Sequence, residues 1–131
     1  MQVKVITPER TVLEQDDVEH VLLPADNGEV GILPRHNAMV CTIKVGRIRV
    51  DTNGESVRLA TSGGFAEVLE DTVTILADTA EQAEEIDVER ARAARRRAEE
   101  RLRKRAEEID MARARTALSR ALNRLHVAGA Q

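Results

Sequence analysis

The side chains with chemistry to offer are three histidines, one cysteine and a crowd of arginines, 12 of which fall after residue 85. His20, His36 and His126 lie far apart and lack metal-ligand spacing, so each reads as a strand or loop histidine with structural hydrogen bonds. Cys41 sits in the strand-like run MVCTIKV and reads as a small buried apolar group, not a nucleophile. As the sole cysteine it excludes a disulfide framework and a multi-cysteine zinc site, and it fits a reducing compartment. Ser62-Gly63-Gly64 reads as a tight turn in preference to an anion nest. Neither a G-x-x-x-x-G-K-[ST] phosphate loop nor a G-x-S-x-G elbow is present. No catalytic residue and no metal ligand is assigned, and nothing argues for a free-standing enzyme. With Phe65 as the only aromatic residue, a site built on base or sugar stacking is excluded.

The elements that carry these residues divide sharply. The 131 residues have a formal net charge of -3, which excludes a generally basic nucleic-acid binder. That average hides a net of -9 over residues 1–85 and +6 over 86–131. Six of the seven glycines and all three prolines precede Ile86. Charge, glycine content and helix propensity shift together, so a boundary is expected at 80–86, giving domains 1–85 and 86–131. The first reads as an all-β sandwich or barrel, with strands over 2–7, 18–24, 38–45, 46–51, 56–61, 65–70 and 72–77. Asn53-Gly54 suits a type I′ hairpin turn, Glu70-Asp71 reads as a second tight turn, and Asp26-Asn27-Gly28 serves similarly. No apolar run approaches the ~20 residues of a membrane span. The N-terminus lacks the charged start and apolar core of a signal peptide, so a soluble intracellular protein is expected.

Residues from Asp87 to Leu125 are almost pure helix formers. Asp87 is a candidate N-cap, and Glu89 suits the positive end of the helix dipole. Glu99–Arg103 and Glu100–Lys104 have the favourable i,i+4 order. One apolar seam runs Ala91, Ala94, Ala98, Leu102, Ala106, Ile109; a second runs Ala114, Leu118, Ala121, Leu125, with Leu122 beside it. Two antiparallel helices joined around 107–111 are expected, with Asp110 a possible second cap. A single helix of roughly 40 residues lies close in energy, because an alanine seam removes little apolar surface from water. Interspersed Glu99, Glu100, Glu107 and Glu108 argue against nucleic acid as the partner of the arginines.

A β domain followed by a charged, alanine-rich helical pair resembles the epsilon subunit of F-type ATP synthases over essentially the whole chain. The residues carrying the resemblance are Gly28-Glu29-Val30-Gly31-Ile32-Leu33-Pro34 with His36; Ser62-Gly63-Gly64-Phe65-Ala66-Glu67-Val68; Val73-Thr74-Ile75-Leu76-Ala77-Asp78-Thr79-Ala80; and Ile86-Asp87-Val88-Glu89-Arg90-Ala91. The chain departs from the family at Pro34-Arg35-His36-Asn37-Ala38-Met39, where the family usually reads Pro-Gly-His-Ala-Pro-Leu. The resemblance implies a non-catalytic subunit of the rotor's central stalk, coupling proton transport to ATP synthesis. Its partners would be the gamma subunit and the membrane c-ring. Association with the membrane would run only through the complex, at the cytoplasmic face of a bacterial cell membrane. Glu29 and His36 would lie at partner interfaces, Glu29 in the loop that meets the ring.

The resemblance also implies that the C-terminal helices are a mobile brake. Folded down they permit turnover; extended into the alpha/beta catalytic head they inhibit ATP hydrolysis. No cofactor is required, but ATP is implied as a regulatory ligand. Ile86-Asp87-x-x-Arg90-Ala91 matches the family's nucleotide motif, and Glu81, Arg97, Arg120 and Arg124 fall on the remaining positions. Arg90 and Arg97, seven apart, share a helix face, as do Arg120 and Arg124, four apart. Only a folded hairpin brings both pairs near one anion, so ATP would stabilise the folded state.

Overall fold

A computed structural model describes residues 1–104 and 108–130. Contacts divide the chain into Met1–Gln82 and Ala83–Gln131. The first unit is built from ten strands: β1 Gln2–Ile6, β2 Thr11–Gln15, β3 His20–Ala25, β4 Gly28–Ile32, β5 Met39–Ile43, β6 Gly46–Thr52, β7 Glu55–Thr61, β8 Gly64–Leu69, β9 Thr72–Ala77 and β10 Ala80–Gln82. They follow one hydrogen-bonded path, β10-β7-β6-β3-β5-β8-β9-β1-β2, with β4 added on β3. The β3–β5 link is a single residue pair, Ala25 with Ile43, and there the path turns from one layer of the sandwich to the other. The β-sandwich followed by two helices is the fold class the sequence indicates.

Alternation builds the core. Val3 and Val5 of β1 face inward beside Val73 and Ile75 of β9, their partners in a parallel ladder. Leu23, Ile32, Ile48, Val50 and Leu59 fill the space from the other layer, all fully buried. The turns obey backbone chemistry. Asn53 and Gly54 have φ of 51° and 80° between the paired residues Thr52 and Glu55, the signature of a type I′ turn. Glu70 and Asp71, at 51° and 60°, close β8 onto β9 in the same way. Gly64 has a different reason for being glycine: a Cβ there would fall on the Leu76 carbonyl oxygen. The two edges of the path are tied by a side chain, since Gln82 Nε2 donates to the Val12 carbonyl at 3.0 Å.

Three strands escape the sequence reading. Thr11–Gln15 has one buried residue, Gly28–Ile32 carries two glycines, and Ala80–Gln82 is three residues long. Each is short and owes its strand form to a partner, Ala80–Gln82 to Leu59–Thr61 for example.

In the second unit a 3-10 turn, Ala83–Glu85, leads to α1 Val88–Arg103 and α2 Glu108–Ala128. Asp87 is the N-cap of α1; its Oδ1 accepts the Arg90 N–H at 3.1 Å. α2 stops in a Schellman motif: Gly129, at φ 76°, donates to the His126 carbonyl and Ala130 to that of Leu125. The two helices pack on each other, and α2 also touches the 3-10 turn before α1, so the pair is an antiparallel hairpin. The break between them comes earlier than the expected 107–111, since α1 ends at Arg103 and α2 begins at Glu108. Asp110 is therefore inside the first turn of α2, where its charge suits the dipole, and does not cap it. Ala106 and the Ile109 side chain of the expected seam lie outside the described residues. Ala91, Ala98, Ala114, Ala121 and Leu125 are buried along it. Glu100 pairs with Lys104 at 3.5 Å, but Glu99 turns to Arg95 at 2.8 Å instead of Arg103.

Candidate functional site

The hairpin carries most of the candidate nucleotide residues. Ala91 and Ala98 in α1, and Ala114 and Ala121 in α2, are each seven apart and equally distant from the connection. An antiparallel pair aligned on those alanines puts Arg90 at the level between Arg120 and Arg124. Arg97 then lies about 10 Å nearer the tip, at 1.5 Å per residue. Arg90, Arg97 and Arg120 are exposed, and Arg124 is half-buried with its Nε out of solvent. The guanidinium groups of Arg90, Arg97 and Arg120 make no ion pair with a described side chain, whereas Arg92 is taken by Glu89 and Arg95 by Glu99. Arg96 and Arg101 are equally uncommitted, so it is the shared level on the hairpin that sets the candidates apart. Ile86 and Ala91 are buried and serve packing; Asp87 is exposed but already engaged as the cap. Glu81 belongs to the first unit, on β10 in register with Ala60. A cleft of about 360 Å³ lined by Arg101, Lys104, Asp110 and Arg113 lies at the tip of the hairpin, the end away from Arg90 and Arg124.

On the sandwich, Glu29 is exposed and follows the β3–β4 turn, opposite Pro24. His36 is exposed in the connection after β4, its Nδ1 2.8 Å from the Asn37 carbonyl oxygen. The two lie at opposite ends of β4, so the strand separates them instead of grouping them. What the sequence reading missed is an apolar outer face on β5, β8 and β9. Val40 is 70% exposed, Phe65 57% and Leu76 54%, with Leu69 beside them at 50%. Register places Phe65 beside Leu76, and Leu76 beside Ile6 of β1. A signal existed: Phe65 and Leu69 share the parity of Glu67, which is the solvent side of β8.

Of the remaining reactive side chains, His126 is exposed in the last turn of α2, not in the strand or loop expected for it, and His20 and Cys41 lie in the sandwich. His20 Nδ1 lies 3.2 Å from Asp51 Oδ2. Asp51 also accepts from Ser56 Oγ at 2.6 Å and Arg49 Nε at 3.3 Å. Its carboxyl is held below the ordinary range, chiefly by the Ser56 bond and further by His20 and Arg49, against an opposing effect of burial. Burial, aided by the charge of Asp26, pushes the Cys41 thiol up, which makes it a poor nucleophile. Among the described residues no group of three or more His, Cys, Asp or Glu is placed to hold a metal ion. No described helix is long and apolar enough to cross a membrane.

Comparison with known proteins gives a consistent picture. Residues 1–83 match the family model described as the ATP synthase delta/epsilon chain β-sandwich domain, and 84–129 match the corresponding long α-helix domain. The chain is 51% identical over 102 residues to an ATP synthase epsilon chain of Desulfitobacterium hafniense, covering 78% of this chain and 76% of the relative. It is 48% identical over 104 residues to that of Bacillus licheniformis, covering 79% of each. Among solved structures, a chain of the Euglena gracilis mitochondrial ATP synthase, in its OSCP/F1/c-ring assembly, superposes with a TM-score of 0.78 at 26% identity. That match covers 89% of this chain and 74% of the other. A chain from the central stalk and c-ring of the Tetrahymena thermophila enzyme shares the fold, with a TM-score of 0.62 at 15% identity over 98% of this chain and 96% of that one.

Proposed function

The chain belongs to the ATP synthase delta/epsilon family, as an epsilon chain, and from that premise we propose that it is a two-state regulatory subunit of the bacterial central stalk. It is a subunit of the complex and not itself the catalyst. The observation that carries the regulatory reading is the hairpin seam. Four of its buried positions, Ala91, Ala98, Ala114 and Ala121, are alanines. At about 0.8 kcal/mol per buried methyl they contribute roughly 3 kcal/mol, and the buried Leu125 adds about 1.5–3 kcal/mol. A ligand at a hundred times its dissociation constant contributes ~2.7 kcal/mol, about half of that. A folded and an extended form therefore lie within reach of a nucleotide or a partner.

In this reading the extended helices enter the alpha/beta head and inhibit ATP hydrolysis. ATP binds the folded hairpin through Arg90, Arg97, Arg120 and Arg124, with Glu81, Ile86, Asp87 and Ala91 completing the site. Charge-assisted bonds from two helices to one phosphate chain exist only while those helices are adjacent. The sandwich docks on the gamma subunit and the c-ring, with Glu29 and His36 at partner contacts, at the cytoplasmic face of the membrane. Its exposed Phe65 and Leu76, neighbours in register, support docking, since exposed large apolar side chains side by side on a small domain mark an interaction site.

Reconstitution with gamma and the catalytic head tests the reading. A chain ending at Glu85 keeps β10 whole and still binds, but hydrolysis by the complex rises relative to that with the full chain. Equal hydrolysis with both chains removes the brake. Calorimetry that finds no ATP binding at millimolar concentration removes the ligand.

A further inference from the structure

Residues 1–85 hold seven basic side chains against 16 acidic ones, and three of the seven, Arg47, Arg49 and Arg58, stand together on β6 and β7. Ile48, Val50 and Leu59 are buried in the core, so alternation puts all three arginines on the outer side of the sheet. Register sets Arg49 directly opposite Arg58, with Arg47 two residues along, opposite Ala60. Directly opposed residues lie about 4.5–5.5 Å apart, and alternate residues of one strand about 6.6 Å apart, so the long side chains can converge on one point. Like charges opposite one another weaken a sheet. Little within the domain relieves this pair. Asp51 accepts from Arg49 Nε at 3.3 Å but divides its two oxygens among Arg49, Ser56 and His20. Arg47 is half-buried and Arg58 exposed, and neither makes an ion pair or hydrogen bond with a described residue.

The surroundings select the ligand. Planar guanidiniums donate paired hydrogen bonds that match the oxygens of a phosphate. The one aromatic residue, Phe65, is on β8, which pairs with β5 and β9, so no ring stands beside the arginines to stack on a base. Asp51 and the exposed Glu55 lie on the same two strands, in a domain whose residues carry a net charge of -9. A membrane, a nucleic acid or an acidic protein would bring an extended negative surface against that background. A small anion meets the cluster alone, because exposed charges more than about 8 Å away are largely screened at physiological salt. We infer that Arg47, Arg49 and Arg58 form a site for a small phosphate anion, inorganic phosphate or diphosphate, on the outer face of β6 and β7. Phosphate is a substrate of ATP synthesis, so a subunit of an ATP synthase works amid this anion. The site is separate from the hairpin arginines and does not require that they bind ATP. An anion there neutralises the opposed Arg49 and Arg58, so occupancy stabilises the sandwich.

The test is NMR of the full chain, following the arginine Nε–H signals while sodium phosphate, and then diphosphate, replaces chloride at constant ionic strength. The signals of Arg47, Arg49 and Arg58 shift together and saturate, with diphosphate saturating at the lower concentration. Arg58→Gln removes a like charge from an exposed strand position, and the variant binds phosphate about fivefold more weakly, the upper end for an exposed ion pair. Arg47→Gln is the second variant, with the same expected loss. Phosphate raises the melting temperature of the parent more than that of either variant. Shifts confined to the hairpin arginines overturn the inference, as do shifts at the three that never saturate, or variants that bind as tightly as the parent. Vesicles test the rival source of phosphate. The parent sediments no more with phosphatidylglycerol vesicles than with phosphatidylcholine ones; sedimentation with the anionic vesicles that Arg58→Gln abolishes assigns the cluster to a membrane and overturns the small-anion site.

Discussion

Asp51 gathers Ser56, His20 and Arg49 on its two oxygens, joining β3, β6 and β7 at one point. Its depressed folded value makes the contribution pH-dependent with a definite sign. Stability from this carboxylate is complete above the unfolded aspartate value (~3.9) and is lost as pH falls through the lower folded value. Urea unfolding of Asp51→Asn and the parent should therefore differ at neutral pH and converge in strong acid; a gap that is constant with pH contradicts this assignment. Asp87 poses a different question, because a cap and a nucleotide ligand are both asked of one carboxylate. Asp87→Ala should cost about 1 kcal/mol of helix stability. Asp87→Ser restores the cap, so calorimetry on the serine variant isolates what the carboxylate does for ATP. Gly64→Ala should destabilise the sandwich by about 1–3 kcal/mol, since the Leu76 carbonyl must move aside; a melting curve unchanged from the parent would disprove the close approach.

At the scale of the element, the hairpin's weakness is adjustable. Leucine in place of Ala114, fully buried, overpacks the seam and should open the pair at a cost of about 1–3 kcal/mol. Faster amide exchange along α1 and α2, with stronger inhibition of hydrolysis in the reconstituted complex, is the expected result; unchanged exchange would show a seam with room to spare. Much of this element level is legible in the sequence. The seam follows from a period of 3.6, the cap from Asp87, and the hairpin turns from Asn53-Gly54 and Glu70-Asp71. Strands such as Thr11–Gln15 and Ala80–Gln82 are not legible, because their form comes from neighbours remote in sequence. The position of the interhelical break is hidden for a related reason: no glycine or proline marks it. Phe65 teaches the converse, a parity visible in the residues whose meaning needed the sheet on either side.

For the whole molecule, the division at Gln82 separates a cooperative apolar core from a hairpin held by few large side chains. Ligand linkage should respect that division. At a hundred times its dissociation constant, ATP should slow exchange of hairpin amides about a hundredfold, the equivalent of ~2.7 kcal/mol, and leave the amides of β1 and β9 unaffected. Uniform slowing across both units would place the nucleotide's effect on global stability instead.

The parallel ladder of Gln2–Ile6 on Thr72–Ala77 also has a bearing on biosynthesis. The first strand of the domain must wait for almost the last one, and Gln82 then latches Val12 across 70 residues of chain. Such non-local pairing is slow to form and leaves early strands exposed meanwhile. The helical tail, translated afterwards, keeps the nascent sandwich tethered to the ribosome while that final latch engages.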